Sequence, residues 1–89
     1  MRITWHEPKN RLNVREHGIS FEEAQTIFLD PLASTVDDPD HSWYERRYLT
    51  IGHTSAGRLV VVSHTIEVDK VRIISARKPT GSERKDYEG

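Results

Sequence analysis

The pattern of hydrophobic and polar positions changes from a helical period to a two-residue period near Pro31. Before this proline, residues 8–17 predict one helix, because proline suits a first helical turn and a glycine follows the last residue. Ser20 and Glu23 then form a capping-box sequence that predicts the start of a second helix. Apolar side chains recur at helical spacing until the proline ends this helix: Phe21, Ala24, Ile27 and Phe28.

Beyond the second helix the pattern predicts strands over residues 32–36, 43–51, 58–66 and 70–77, and residues 2–5 predict a short first strand. The turns between the last three strands are short enough for hairpins, which indicates an antiparallel meander. A second capping box, Thr80-x-x-Glu83, opens a final helix of about two turns. We therefore expect one domain over residues 1–89, with an α+β fold: N-terminal helices packed on a twisted antiparallel sheet, and a short C-terminal helix.

Composition narrows the possible functions. The net charge of −1 argues against a globally basic nucleic-acid binder, but the charges are segregated. Residues 20–40 carry six acids and no Lys or Arg, whereas residues 70–78 carry four cations and no acid. With no cysteine, disulfides and thiolate metal sites are excluded. No signal peptide, membrane span, cofactor fingerprint or histidine pair with metal-ligand spacing is present, so we expect a cytoplasmic chain without metal or cofactor.

The candidate chemistry lies on the predicted strands. Arg47, His64 and Arg72 each share strand parity with apolar neighbours, which predicts that they lean towards a covered face. A charge in that position is costly unless it is paired or opens into a groove, so three such residues on neighbouring strands indicate a site. The alternative is that the arginines extend to solvent at the sheet margin. Arg77 would point to the opposite face unless the strand bulges near residues 75–76.

Other polar residues have two interpretations each. Arg77 and Lys78 end the basic strand and favour binding of phosphate. Glu83 either closes the helix start or acts as a base or an orienting group beside the arginines. His17 either stabilises a helix C-terminus or, with Lys9 on the same side of that helix, binds phosphate.

Several blocks of sequence resemble the BrnT-type ribonuclease toxins. The first block is Trp5-x-x-x-Lys9-x-x-x-Asn13-x-x-x-His17-Gly18-Ile19-Ser20-Phe21-Glu22-x-Ala24. The later blocks follow in the family's order: Glu45-x-Arg47, His64-Thr65, Arg72-Ile-Ile-Ser-Ala-Arg77 and Glu83-Arg84-x-x-Tyr87. The resemblance spans nearly the whole chain, and its most specific parts are the His17-Gly18 block and the block from Arg72 to Arg77.

The resemblance implies a RelE-like fold, metal-independent RNA cleavage that inhibits translation, and inhibition by a cognate ribbon-helix-helix antitoxin. It also implies that the chain contacts DNA only through that antitoxin. The functional candidates implied by the resemblance are Lys9, His17, Glu45, Arg47, His64, Arg72, Arg77 and Glu83.

Our hypothesis is an endoribonuclease in which the RNA 2′-hydroxyl attacks the phosphate. Arg47, Arg72 and Arg77 would stabilise the charge that builds on the phosphate oxygens, with Glu83 beside them. His64 would transfer a proton near neutral pH. Lys9, His17, Glu45 and Lys78 would contact the RNA on either side of the cleaved bond. The alternative is a non-catalytic RNA- or protein-binding module, and RNA cleavage distinguishes the two.

Overall fold

The structure, a computed structural model, describes residues 1–41 and 45–89, so the beginning of the predicted strand 43–51 lies outside the described residues. Two helical segments cover one face of a sheet, and a third helix lies beside the other face. The strands are β1 (Arg2–Trp5), β2 (Ser34–Asp37), β3 (Tyr48–His53), β4 (Leu59–His64) and β5 (Lys70–Arg77). The helices are α1 (Glu7–His17), α2 (Phe21–Ala24) and α3 (Gly81–Glu88), and single 3₁₀ segments follow α2 (Gln25–Leu29) and β2 (Pro39–His41).

Within the described chain the strands form one five-stranded sheet in the order β1-β5-β4-β3-β2. The antiparallel meander of β3, β4 and β5 is confirmed, and β2 extends it from the far edge. The expectation of a wholly antiparallel sheet is wrong, because β1 runs parallel to β5, with Arg2 opposite Lys70. Alternation of apolar and polar residues assigns the faces of a strand but carries no information on its direction.

The core lies between α2 and the inner face of the sheet. Its fully buried members are Ile19, Phe21, Ala24, Ile27, Val60, Val62, Ile73 and Ala76. The Ser20 hydroxyl accepts from the Glu23 amide at 3.0 Å, which confirms the predicted start of α2. The predicted extent of this helix is right, but only its first turn is α-helical, and the chain continues as a 3₁₀ segment to Leu29.

α1 packs through amide side chains. Asn13 is 5% exposed, and its Nδ2 donates to the carbonyls of Ile19 and Ala76, each at 2.8 Å. Its Oδ1 accepts from the Ala76 amide at 3.1 Å. Since β1 ends at Trp5, opposite Ile73, Asn13 takes the place of a neighbouring strand for the last part of β5. Gly18 follows α1 in the left-handed conformation (φ 69°), which confirms the predicted end of this helix.

A β-bulge interrupts the pairing of β4 with β5. Val62 lies opposite Ala76, but the next inward-facing pair is His64 with Ile73, and Ile74 has no opposite residue in the register. The extra residue places both Ile73 and Ala76 on the buried inner face. Arg72 and Arg77 therefore share the outer face. The sequence predicted this arrangement only on the condition that the strand contained a bulge. The bulge lies one residue before the expected position.

Candidate active site

A groove on the outer face of the sheet is lined by two of the predicted arginines, Arg47 and Arg77, and we call it the arginine groove. It has a volume of about 250 Å³. Its lining residues are Asp38, Asp40, Arg47, Leu49, Ser63, Ile74, Ser75 and Arg77. Arg72 joins this cluster through Glu45, which contacts both Arg72 and Arg47. Three guanidinium groups from different parts of the chain thus converge on one face.

Glu45 orients two of these arginines. One carboxylate oxygen, Oε2, accepts from Arg72 Nη2 at 2.5 Å, and the other, Oε1, lies 3.5 Å from Arg47 Nε. Partly exposed ion pairs of this kind contribute on the order of 1 kcal/mol to stability because water and salt screen them. The main effect of Glu45 is therefore geometric: it holds two planar cations side by side.

Glu83 orients the third arginine. Arg77 Nη1 and Nη2 donate to the two Glu83 oxygens at 2.8 and 3.0 Å, the forked geometry that guanidinium favours. Glu83 also accepts from the Thr80 amide, and the Thr80 hydroxyl accepts from the Glu83 amide, which confirms the second capping box. The Arg77 guanidinium, helped by the Thr80 amide, lowers the pKa of Glu83 to about 2. Glu83 therefore both caps α3 and orients Arg77, and its low pKa makes it a weak base.

His64 does not join the arginines, so the expectation that it faces them is wrong. It is 1% exposed on the inner face, between the rings of Phe28 and Tyr48. Its Nδ1 lies 3.1 Å from the Thr65 carbonyl oxygen, and its Nε2 lies 2.7 Å from the Thr50 hydroxyl. A carbonyl oxygen only accepts, so we assign the ring proton to Nδ1. Nε2 is then the acceptor of a hydrogen bond that the Thr50 hydroxyl donates. Burial lowers the pKa of His64, which favours this neutral form.

The sheet is apolar on both faces near this point, which explains the error. Val60 and Val62 share the inner face with His64. Val61 lies on the outer face with Leu49, and Leu49 pairs with Ser63 of β4. Apolar neighbours in strand parity therefore identified a covered face for His64 but did not distinguish it from the face that carries the arginines.

A second groove continues from the arginine groove along α1, and we call it the helix groove. It has a volume of about 200 Å³ and is lined by Lys9, Leu12, Asn13, Glu16, His17, Ile74 and Ser75. Ile74 and Ser75 line both grooves, so the bulge forms their common wall. The structure therefore places Lys9 and His17 in a groove that adjoins the arginine groove.

Lys78 lies elsewhere, which corrects its expected place in this site. It lines a separate cavity with Arg58 and Arg84, just beyond the end of β5. Consecutive residues at the end of a strand point in different directions, so Lys78 leaves the face on which Arg77 lies.

The structure adds residues that the sequence did not single out. Asp38 and Asp40 line the arginine groove, and Asp38 is 7% exposed. The pKa of Arg77 is raised mainly by its hydrogen bond to Glu83, and the negative charge of Asp38 adds a smaller contribution. The only signal in the sequence was the acidic run at residues 37–40, which also suits an ordinary turn.

The described ranges contain no group of three or more His, Cys, Asp or Glu side chains arranged to hold a metal ion. Within the same ranges, no helix has the length and apolarity that crossing a membrane requires.

Comparisons with known proteins add to this geometry. A family model described as the ribonuclease toxin, BrnT, of type II toxin–antitoxin systems matches residues 5–83. The chain is also similar in structure to the Brucella abortus ribonuclease toxin BrnT, with a TM-score of 0.64 and 23% sequence identity. That match covers 90% of this chain and 97% of the Brucella chain, and at this identity it supports the fold. No curated protein matches the chain.

Proposed function

Since this chain belongs to the family of BrnT ribonuclease toxins of type II toxin–antitoxin systems, we propose that it is a metal-independent endoribonuclease. The observation that carries this proposal is the convergence of Arg47, Arg72 and Arg77 on one face of the sheet. In the proposed reaction the RNA 2′-oxygen attacks the adjacent phosphorus and loses its proton. The bond to the 5′-oxygen breaks, and that oxygen gains a proton. The products are a 2′,3′-cyclic phosphate and a 5′-hydroxyl.

The arginines supply the electrostatic part of this reaction. Negative charge builds on the non-bridging oxygens as the 2′-oxygen attacks, and guanidinium groups already in position stabilise it without reorganisation. The carboxylates of Glu45 and Glu83 hold these groups in place before RNA binds. Removing one such cation is expected to cost on the order of 10²- to 10³-fold in rate.

The proton transfer needs a group other than His64, which lies in the core. We assign it to His17, because this imidazole lines the helix groove directly beside the arginine groove. Imidazole is the side chain that most often serves as a general acid or base in enzymes. Lys9, on the same groove, would bind a flanking phosphate.

The test is cleavage of a labelled RNA by the purified chain in EDTA. We expect cleavage with a 2′,3′-cyclic phosphate or its 3′-phosphate product, and Arg77→Ala should reduce the rate by about 10²-fold or more. Strict dependence on an added divalent metal would contradict the mechanism.

A non-catalytic binding module is the second candidate, because the arginines of this groove already pair with acids. RNA binding without cleavage of free or ribosome-bound RNA would favour it.

The partner proposal completes this function. A type II system implies an antitoxin, and we propose that it is a basic ribbon-helix-helix protein that inhibits the chain in the cytoplasm and alone contacts DNA. The likeness to a RelE-type fold belongs to the same proposal. Inducing the chain alone should arrest bacterial growth by inhibiting translation, and coexpressing the adjacent reading frame should relieve the arrest.

A further inference from the structure

An apolar groove lies on the outer face of the sheet beside α3, next to the arginine groove. It has a volume of about 250 Å³. Its lining residues are Leu32, Ser34, Val36, Leu49, Ile51, Val61, Glu83, Asp86 and Tyr87. Leu32 is 74% exposed and Val36 is 58% exposed, although both are aliphatic. Exposed aliphatic residues gathered in one concave place mark an interaction site more often than a single exposed leucine does.

The groove has two unequal walls. On one side is α3, whose Tyr87 hydroxyl donates to Asp30 at 2.6 Å and so anchors the end of the helix. On the other side is β2, the last strand of the described sheet, in which all four residues are exposed. The sheet between these walls is covered by helices only on its inner face. A helix laid in the groove would add the missing layer.

The charge around the groove defines the chemistry of its occupant. Glu83 and Asp86 line the α3 wall, and none of the described lining residues is a Lys or Arg. The segment that carries β2, residues 20–40, holds six acids and no Lys or Arg. A partner that fits must therefore present aliphatic side chains flanked by cations.

We propose that the apolar groove is the docking site of the antitoxin, which would place an amphipathic helix there with Lys or Arg beside its aliphatic residues. The identity of the partner rests on the proposed toxin function. A second copy of this chain fits less well, because a two-fold interface would set the acidic wall of one copy against the acidic wall of the other.

Docking at this groove would also act on the RNA site. Leu49 lines both the apolar groove and the arginine groove. Glu83 lines the apolar groove and holds Arg77 through two hydrogen bonds. A helix seated over these two residues borders the arginines and blocks the approach of an RNA strand, so binding and inhibition follow from one contact.

The experiment measures binding of the purified protein encoded by the adjacent reading frame, by titration calorimetry, to wild type and to variants. Val36→Lys places a cation in the apolar groove, and Asp86→Lys reverses the charge of its wall. The matched control is Val68→Lys, because Val68 is fully exposed in the β4–β5 turn, away from the groove. We expect both groove variants to raise Kd at least tenfold and the control to leave it unchanged. All three should keep the wild-type melting temperature and RNA cleavage.

Unchanged Kd for both groove variants, or no binding by the wild type, would overturn the docking proposal. A change from dimer to monomer in Val36→Lys, with partner binding unaltered, would overturn it in favour of a second copy of the chain. Weakened binding by the groove variants in a chain that cuts no RNA would support the docking site while the nuclease proposal fails. The two proposals can therefore fail separately.

Discussion

The roles assigned to His64 and Arg77 predict opposite effects on stability and catalysis. His64→Ala removes a side chain that is 1% exposed and leaves the Thr65 carbonyl and the Thr50 hydroxyl without their partner. Each unsatisfied buried group costs about 1–3 kcal/mol, and the cavity adds to that cost. The Thr50 hydroxyl retains its contact with Thr35, at 2.7 Å, which limits the loss. We therefore expect a loss of about 3–4 kcal/mol in the free energy of unfolding.

For a domain of this size, 1 kcal/mol shifts the melting temperature by about 4–8 °C. The His64→Ala protein should thus melt about 12–30 °C below wild type. Arg77→Ala breaks a partly exposed ion pair, so its free energy of unfolding should fall by about 1 kcal/mol or less after solvent screening. Its cleavage rate should nevertheless fall by about 10²-fold or more. Arg77→Lys keeps the charge but loses the forked geometry, and it should restore only part of the rate.

The assay combines thermal unfolding by circular dichroism with RNA cleavage well below each melting temperature, with rates expressed per folded molecule. His64→Gln is the milder companion, since an amide can donate to the Thr65 carbonyl. A His64→Ala protein that melts within about 3 °C of wild type but loses cleavage as Arg77→Ala does would refute the core assignment. His64 would then belong to the chemistry.

Three further predictions follow from polar contacts of the folded chain. Asn13→Ala should reduce the free energy of unfolding by about 2–4 kcal/mol, because it leaves the backbone amide and carbonyl of Ala76 unsatisfied. Leu12→Ala on the same helix should cost much less, because Leu12 is exposed, and urea titration measures both variants. The pKa of His64 is lower in the folded chain than in the unfolded chain, so stability should decline as pH falls below about 6.5, and His64→Gln should lack this component. The pKa of Glu83 is lowered to about 2, so its contribution is complete above its unfolded pKa of 4.5 and is lost as pH falls towards 2; melting curves of Glu83→Gln across this range should be flatter than those of wild type.

The sequence predicted the elements whose cause is local. The bounds of β5 were predicted correctly from its alternation, and the cap of α3 from Thr80 and Glu83. The packing of α1 was not predictable in this way, because its buried side chains are the polar Asn10 and Asn13. Some of their hydrogen-bond partners lie far away in sequence, 11 residues for Asn10 and up to 63 residues for Asn13, and no periodicity reports such contacts.

The candidate site was predictable in its residue types and only partly in its geometry. The pattern indicated that Arg47 and Arg72 cluster, and they do, through Glu45. It assigned His64 to the same face because β4 is apolar on both sides, so its parity was ambiguous. The place of Arg77 depended on a bulge, which is a property of the pairing between two strands and not of either strand alone.

The bulge and Asn13 together explain why two distant elements can form one extended groove. The extra residue Ile74 turns Arg77 to the outer face and makes the wall that both grooves share. Beyond this point β1 no longer pairs with β5, so the amide and carbonyl of Ala76 need another partner, and Asn13 supplies both hydrogen bonds. Because Asn13 belongs to α1, its bonds to Ala76 also hold α1, which ends at His17, against the strand that carries Arg72 and Arg77. Loss of the hydrogen bonds between Asn13 and Ala76 should therefore lower the cleavage rate even in molecules that remain folded, although Asn13 itself need not touch RNA.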